Sequence, residues 1–176
     1  SLTRADDIRD FEIEGMSIGD SLLKHYSKNV LDNIEKYYYP NSKKIVGLYS
    51  QVFNKNLNNY DAIQFSVTPD NYQIEAIAGL NYEFENKKKE CYQEMEKIFD
   101  EIQSLFPNSK TVKEKESSHE ADVSGKSVGK IYRINLNNGF IRVTCTDWAK
   151  TMSHSDSLKI SIHTTKHIDW INNEAY

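Results

Sequence analysis

Residues 87–106 read KKKECYQEMEKIFDEIQSLF, and this stretch decides how the rest of the chain can fold. Its apolar residues recur at steps of three and four, which places them on one side of an α-helix. They are Cys91, Met95, Ile98, Phe99, Ile102, Leu105 and Phe106. Pro107 ends the pattern, because proline cannot continue the helical hydrogen bonds. We therefore predict one long amphipathic helix that packs across a sheet.

The sequence predicts three strands before this helix and three after it, at 45–53, 62–67, 73–85, 130–136, 140–148 and 157–164. Alternating apolar and polar residues indicate an antiparallel sheet with one buried face. In the third strand, the residues predicted to face the helix are Ile74, Ala76, Ala78, Leu80, Tyr82 and Phe84. Two short helices are predicted near Ser17 and after Asn29. The order helices, three strands, long helix, three strands predicts an α+β fold, a mainly antiparallel sheet with its helices on one face.

The chain of 176 residues has the length of a single domain. Residues 1–9 lack periodicity and are predicted to form a flexible arm, so that residues 10–176 form the α+β domain. Residues 107–128 are polar and are predicted to be a mobile connection, with an edge strand at 110–116. A terminal helical turn is predicted for residues 166–174.

Composition excludes several classes of protein. The net charge of −4 argues against a nucleic-acid binder, which usually has a basic excess. No apolar run is long enough for a transmembrane segment. The sequence contains no Gly-x-Ser-x-Gly, Walker, Gly-x-Gly-x-x-Gly or His-Glu-x-x-His motif. We therefore assign no catalytic residue and no cofactor from motifs.

The two cysteines are predicted to lie in the same layer of the core. Cys91 is on the apolar side of the long helix, and Cys145 alternates with Ile141 and Val143 on the inner side of its strand. Two interpretations remain open. They are either separate buried thiols, or a Cys91–Cys145 disulfide, which would imply an oxidising compartment.

A hairpin is predicted around Asn137-Asn138-Gly139, because a two-residue Asn138-Gly139 loop suits a type I′ turn. This register places Leu136 opposite Ile141. It also turns a cationic set of residues away from the helix, with a tryptophan at the rim: Arg133, Arg142, Lys159, His163 and Trp148. Such a face is either an ordinary solvated sheet surface or a binding site for an acidic protein surface or an anionic ligand.

The region from His154 to Asp169 is rich in histidine. His163 and His167 have the spacing of two metal ligands on a helix, but His163 falls at the end of a predicted strand. Solvated surface histidines are the alternative interpretation. We assign no metal site, and we keep as the alternative function a small metal-dependent or acid–base hydrolase that uses this region.

Four segments resemble a group of small exported proteins from marine bacteria: 11–23 (FEIEGMSIGDSLL), Glu90-Cys91, 142–148 (RVTCTDW) and 170–176 (WINNEAY). The resemblance implies a periplasmic or secreted protein from which a signal peptide has been removed, and it implies no particular activity. The order of elements is also similar to the beta-lactamase-inhibitor-like fold. The leading hypothesis is therefore a non-enzymatic, exported binding or interaction module.

Overall fold

The computed structural model describes residues 7–176, and in this range a single sheet of nine strands carries three α-helices. The strands are β1 Lys36–Tyr37, β2 Val46–Leu48, β3 Ala62–Val67, β4 Ile74–Asn81, β5 Lys110–Lys113, β6 Ser117–Ser118, β7 Val128–Leu136, β8 Gly139–Asp147 and β9 Ser157–Thr164. The helices are α1 Lys28–Asn33, α2 Lys88–Leu105 and α3 Thr165–Trp170, and short 3₁₀ turns lie at Ile8–Asp10, Leu22–Lys24 and Gln51–Asn54. The predicted α+β class is confirmed.

The strand order is β1-β2-β3-β4-β9-β8-β7-β5, and β6 also pairs with β7. The pairs between these strands are antiparallel, as predicted. The last strand, β9, lies between β4 and β8. It therefore joins the strands that precede α2 to the strands that follow it.

Helix α2 packs on one face of this sheet, which we call the inner face. Met95 and Phe99 are fully buried, and the Phe99 ring meets the Tyr132 ring edge to face at 5.2 Å. The apolar stripe is narrower than predicted, because Leu105 is 55% exposed. At 3.6 residues per turn, Leu105 is about 120° from Phe99 around the helix axis, at the margin of the stripe.

In strand β4, the residues that face α2 are the alternate set to the one predicted. Ile77 lies opposite both Phe65 and Ile162 and faces α2, whereas Ala76, Ala78 and Leu80 point to the other side of the sheet. The prediction was wrong because every residue from Ile74 to Leu80 is buried, so polarity does not distinguish the two sides. A register shift between Ser66 and Val67 also changes the pairing at the start of this strand.

The β7–β8 hairpin differs from the predicted register by two residues. Leu136 pairs with Gly139 and Ile134 with Ile141, so each residue keeps its predicted side of the sheet. The predicted type I′ turn does not form, since only Asn138 of the loop pair Asn137-Asn138 has a positive φ, 67°. Gly139 is instead needed inside β8, where a Cβ would collide with the His163 carbonyl oxygen.

The segments predicted to be a flexible arm and a mobile connection both contain regular structure. Residues 1–6 of the predicted arm lie outside the described residues, but Asp7 caps the first 3₁₀ turn and Ile8 is buried in the core. In the predicted mobile connection, β5 and β6 pair with β7, so the predicted edge strand is confirmed over Lys110–Lys113. Asp122 accepts hydrogen bonds from the backbone nitrogens of Ser124 and Ser127, at 2.9 and 2.8 Å.

Helix α3 is an exception to the prediction that the helices share one face. It starts directly after β9, and His167 in its first turns contacts His163, which points away from α2. The chain continues as a π-helical turn, Ile171–Ala175, and Trp170 packs against Tyr39 and Ile45. No helix within residues 7–176 is long and apolar enough to cross a membrane.

Candidate functional site

A cleft of about 670 Å³ opens on the face of the sheet that is turned away from α2, which we call the outer face. Residues directly opposite each other in neighbouring strands point to the same side of a sheet. The register therefore places five outer-face residues in one row that crosses the strands β7, β8, β9, β4 and β3: Arg133, Arg142, Ser161, Ala78 and Gln64. We call this set the arginine row.

The structure brings most of the residues of the predicted binding face together. Arg142, Trp148, Lys159 and His163 all line the cleft. Arg133 lies directly opposite Arg142 on the next strand, outside the cleft lining itself. Strand alternation was sufficient to place the four strand residues on one face, since each belongs to a regular part of β7, β8 or β9.

The two arginines are adjacent and form no ion pair among the described residues, although the burial that lowers the pKa of Arg142 is opposed in part by the nearby charge of Glu114. Their guanidinium carbons lie 5.4 and 5.1 Å from the centre of the Phe140 ring, Arg133 and Arg142 respectively. The Nε atoms of both are buried without a hydrogen-bond partner, and no carboxylate within residues 7–176 forms an ion pair with either side chain. Both arginines are partly buried, and like charges directly opposite each other on neighbouring strands are destabilising unless an anion lies beside them.

Lys159 adds a third positive charge one step along the sheet. It lies opposite Thr144 and therefore diagonally from Arg142. Burial lowers the pKa of Lys159, and the charge of Arg142 lowers it further. Burial also lowers the pKa of Arg142, followed by the charge of Arg133, although an arginine keeps its proton throughout the physiological range. Within residues 7–176, Glu120 supplies the only carboxylate on the cleft lining.

Two histidines meet at the junction of β9 and α3. The Nδ1 atoms of His163 and His167 are 3.3 Å apart, and His163 Nε2 lies 3.0 Å from the hydroxyl oxygen of Ser161. Burial is the main cause that lowers the pKa of both rings, that of His167 to about 4. Both rings are therefore neutral near pH 7. The interpretation as solvated surface histidines is wrong for this pair.

The predicted position of His163 on a strand is confirmed, but the expectation that this position keeps its ring away from His167 is wrong, because α3 starts directly after β9 and brings the two rings together. Within residues 7–176, no group of three or more His, Cys, Asp or Glu side chains is arranged to hold a metal ion. The His163–His167 pair is therefore described by its hydrogen bonds alone.

Trp148 closes one end of the cleft. Its ring lies 4.3 Å from the ring of His119 and 4.5 Å from the ring of His154, measured between centroids. These residues come from the loops before β7 and before β9, so the tryptophan holds two loops together at the rim. Its backbone N–H donates to Asp156 at 2.6 Å, which anchors the same end. Trp148 is thus less open to a ligand than predicted.

A smaller cavity of about 170 Å³ extends the cleft toward Tyr49. It shares Gln64, Lys159 and His163 with the main cleft and is also lined by Tyr49. The ring centroids of Tyr49 and Tyr37 are 6.3 Å apart, and these residues are 50% and 47% exposed. Sequence reasoning missed Tyr49, Gln64 and His119 as part of this region, because they come from segments with no shared spacing.

Comparisons with protein-family models, with curated proteins and with solved structures give no match for this chain. The site is therefore interpreted from its own geometry.

Proposed function

We propose that this protein is an exported, non-enzymatic module that binds an anionic ligand in the outer-face cleft. The observation that carries the proposal is Arg142 on the cleft lining with Arg133 directly opposite it, two adjacent guanidinium groups with buried, unbonded Nε atoms and no ion pair in residues 7–176. An anion seated beside them would supply the missing acceptors. Lys159 adds to the positive potential at the same place.

Arginine favours a particular class of anion. Its planar guanidinium group donates two parallel hydrogen bonds to carboxylate, phosphate or sulfate groups, and such charge-assisted bonds are stronger than neutral ones. The net charge of the chain is −4, so the cations at this cleft do not reflect an overall basic composition. The cleft volume of about 670 Å³ lies in the usual range for sites that bind small ligands.

The disulfide supports the proposed location. Both cysteines of the chain are joined in the Cys91–Cys145 pair, and such bonds persist mainly in oxidising compartments. An exported protein, periplasmic or secreted, is consistent with that chemistry.

The binding test uses citrate and inorganic sulfate as probes in isothermal titration calorimetry. We expect citrate to bind the wild type, to bind the Arg133→Glu, Arg142→Glu double variant at least about tenfold more weakly, and to lose affinity as salt rises. Lys97→Glu is the matched control, because Lys97 is a cation on the opposite side of the molecule, exposed on α2. Equal binding by the wild type and the double variant would exclude this cleft as the anion site.

A second candidate function is acyl transfer, which corresponds to the hydrolase alternative for the His154–Asp169 region. The observation that favours it is the chain of contacts from Ser161 Oγ to His163 Nε2 and from His163 Nδ1 to His167, which has the order nucleophile, base and orienting group. Ser161 is only 2% exposed, so a substrate must displace the side chains above it. This burial is why we place binding first.

Labelling with a fluorophosphonate probe tests the second function. A nucleophilic Ser161 would be labelled in the wild type and not in Ser161→Ala, whereas Ser157→Ala would still be labelled. Ser157 is the control because it lies on the same strand and lines the same cleft without a histidine contact among the described residues. Absence of labelling in the wild type would exclude acyl transfer through Ser161 and leave the binding proposal unaffected.

A further inference from the structure

The arginine row continues across the sheet toward exposed aromatic residues. Tyr37 of β1 lies opposite Gly47 of β2, and Gly47 lies opposite Ser66 of β3, on the outer face. Tyr49 follows β2 two residues after Gly47, which turns its side chain to the same face. From β7 to β2 there are five strand-to-strand steps of about 4.8 Å, so the distance from Arg133 to Tyr49 is roughly 24 Å.

Between Arg142 and Tyr49, Lys159 is the only cation of residues 7–176 on the lining, and the other side chains of the arginine row there are small or uncharged. Ser161 and Ala78 lie beside Arg142, and Gln64 follows. The cavities on either side of this stretch share Gln64, Lys159 and His163, so they form one continuous trough. The Gln64 amide offers the trough both a hydrogen-bond donor and an acceptor, whereas the Ser161 hydroxyl is buried.

Tyr49 provides a flat surface at the far end of the trough. Its ring lies against the backbone at Gly47, where a Cβ atom would come within 2.9 Å of the tyrosine hydroxyl oxygen. One face of the ring is thus held against the sheet, while half of the residue is open to solvent. Exposed aromatic side chains are a recurring feature of binding surfaces.

We infer that the ligand is a short anionic oligosaccharide that lies across the strands, with its acidic group at Arg142 and an uncharged sugar ring on Tyr49. This inference rests on the proposed anion-binding function. Carboxylates of uronic acids and sulfate esters present the same pair of oxygen acceptors to an arginine. Sugar hydroxyls match the partly exposed Gln64 amide in the middle of the trough, and the apolar face of a sugar ring suits an aromatic ring.

Two other extended polymers fit this trough less well. A peptide is usually bound at the edge of a sheet, where free backbone groups form the hydrogen bonds, whereas this trough crosses strands whose backbone groups are already paired. Single-stranded nucleic acid needs positive charges along its whole path. Here the cations Arg133, Arg142 and Lys159 are on β7, β8 and β9, no cation of residues 7–176 lines the trough along β4, β3 or at Tyr49, and the net charge of the chain is −4.

Calorimetric titration with saccharides of increasing length tests the inference. The probes are galacturonic acid and its tetramer, a sulfated galactose tetramer, a neutral cellulose-derived tetramer and single-stranded oligothymidine. We expect an acidic tetramer to bind about tenfold more tightly than galacturonic acid, and the neutral tetramer not to bind. If the carboxylated tetramer binds more tightly than the sulfated one, the natural acidic group is a carboxylate. If the sulfated tetramer binds more tightly, it is a sulfate ester.

Tyrosine variants separate this inference from the anion-binding function. Tyr49→Ala should abolish the higher affinity of the acidic tetramer over galacturonic acid and leave the affinity for galacturonic acid unchanged. Arg142→Gln should weaken binding of both the tetramer and galacturonic acid. Tyr38→Ala is the matched control, because Tyr38 is 51% exposed but lies beside Lys43 and does not line the trough.

Three results would overturn the inference: equal affinity for monomer and tetramer, no effect of Tyr49→Ala, or tighter binding of oligothymidine than of either acidic tetramer. Citrate binding that still depends on Arg142 would, in each of these cases, leave the proposed anion-binding function standing. If the wild type does not bind citrate, both the proposed anion-binding function and the oligosaccharide inference are wrong.

Discussion

A disulfide joins Cys91 of α2 to Cys145 of β8, and the Cα atoms of the two residues are 6.1 Å apart. The bond therefore ties the long helix directly to a strand next to the middle of the sheet. Of the two interpretations open for these cysteines, two separate thiols or one disulfide, the structure has the disulfide. It lies beneath the same strand that carries Arg142 on its outer side.

We expect the Cys91→Ala, Cys145→Ala double variant to lose up to about 4 kcal/mol of unfolding free energy. The bond closes a loop with a sequence separation of 54 residues, and the chain-entropy model gives this value as an upper estimate. Urea denaturation of the wild type and the double variant measures the loss. Two free thiols in a non-reducing mass spectrum of wild-type protein made under oxidising conditions would contradict the disulfide.

Phe99→Ala should lower the free energy of unfolding by about 3–5 kcal/mol, because the ring is fully buried and packs edge to face on Tyr132. Leu105→Ala is the matched control on the same helix. At 55% exposure it should change stability by no more than about 0.5 kcal/mol. Similar losses for the two variants in urea denaturation would mean that the buried side of α2 has been assigned wrongly.

Stability should fall between about pH 6.5 and about pH 4. Burial lowers the pKa of His167 from 6.5 to about 4, and the nearby charge of Glu75 offsets only part of this shift. In this pH window the unfolded chain therefore binds a proton at His167 that the folded chain does not. The unfolding free energy consequently decreases as the pH falls through the window, and His167 causes no change above it. Across the window, His167 should lower the free energy of unfolding by up to about 3 kcal/mol.

Urea denaturation at several pH values checks this dependence. His163 acts in the same direction, because its pKa is also lowered, mainly by burial. Asp7, whose hydrogen bonds with Arg9 lower its pKa to about 2, titrates below the window. His167→Gln should flatten the curve, while the exposed His25→Gln should leave it unchanged. A wild-type curve that is flat through this range would contradict the burial of the histidine pair.

Gly139→Ala should destabilise the protein by about 3 kcal/mol or more, at the upper end of the range for overpacked sites. The added Cβ would collide with the His163 carbonyl oxygen, which belongs to the backbone and cannot rotate away. Gly129→Ala, in the neighbouring strand, is the control, because its Cβ would meet the Cys145 carbonyl oxygen at 3.4 Å, an ordinary contact. Thermal unfolding of the two variants should differ clearly, and equal melting temperatures would contradict the close approach of β8 and β9 at Gly139.

The sequence by itself determined the elements whose apolar and polar residues repeat with one clear period. Helix α2 was predicted for 87–106 and is observed at Lys88–Leu105. The outer-face position of Arg142 and the inner-face position of Cys145 followed from strand alternation in β8. In both cases one side of the element meets water, so local polarity carries the information about orientation.

Only the tertiary structure decided the features that depend on residues far apart in the chain. The phase of β4 could not be predicted, because Ile74–Leu80 is buried on both sides and polarity no longer alternates with exposure. The hairpin register depends on Gly139 meeting His163 of β9. The continuous trough from Arg142 to Tyr49 exists because β9 lies between β4 and β8. Strand order is set by long-range packing, and a periodic pattern reports only which side of its own strand is buried.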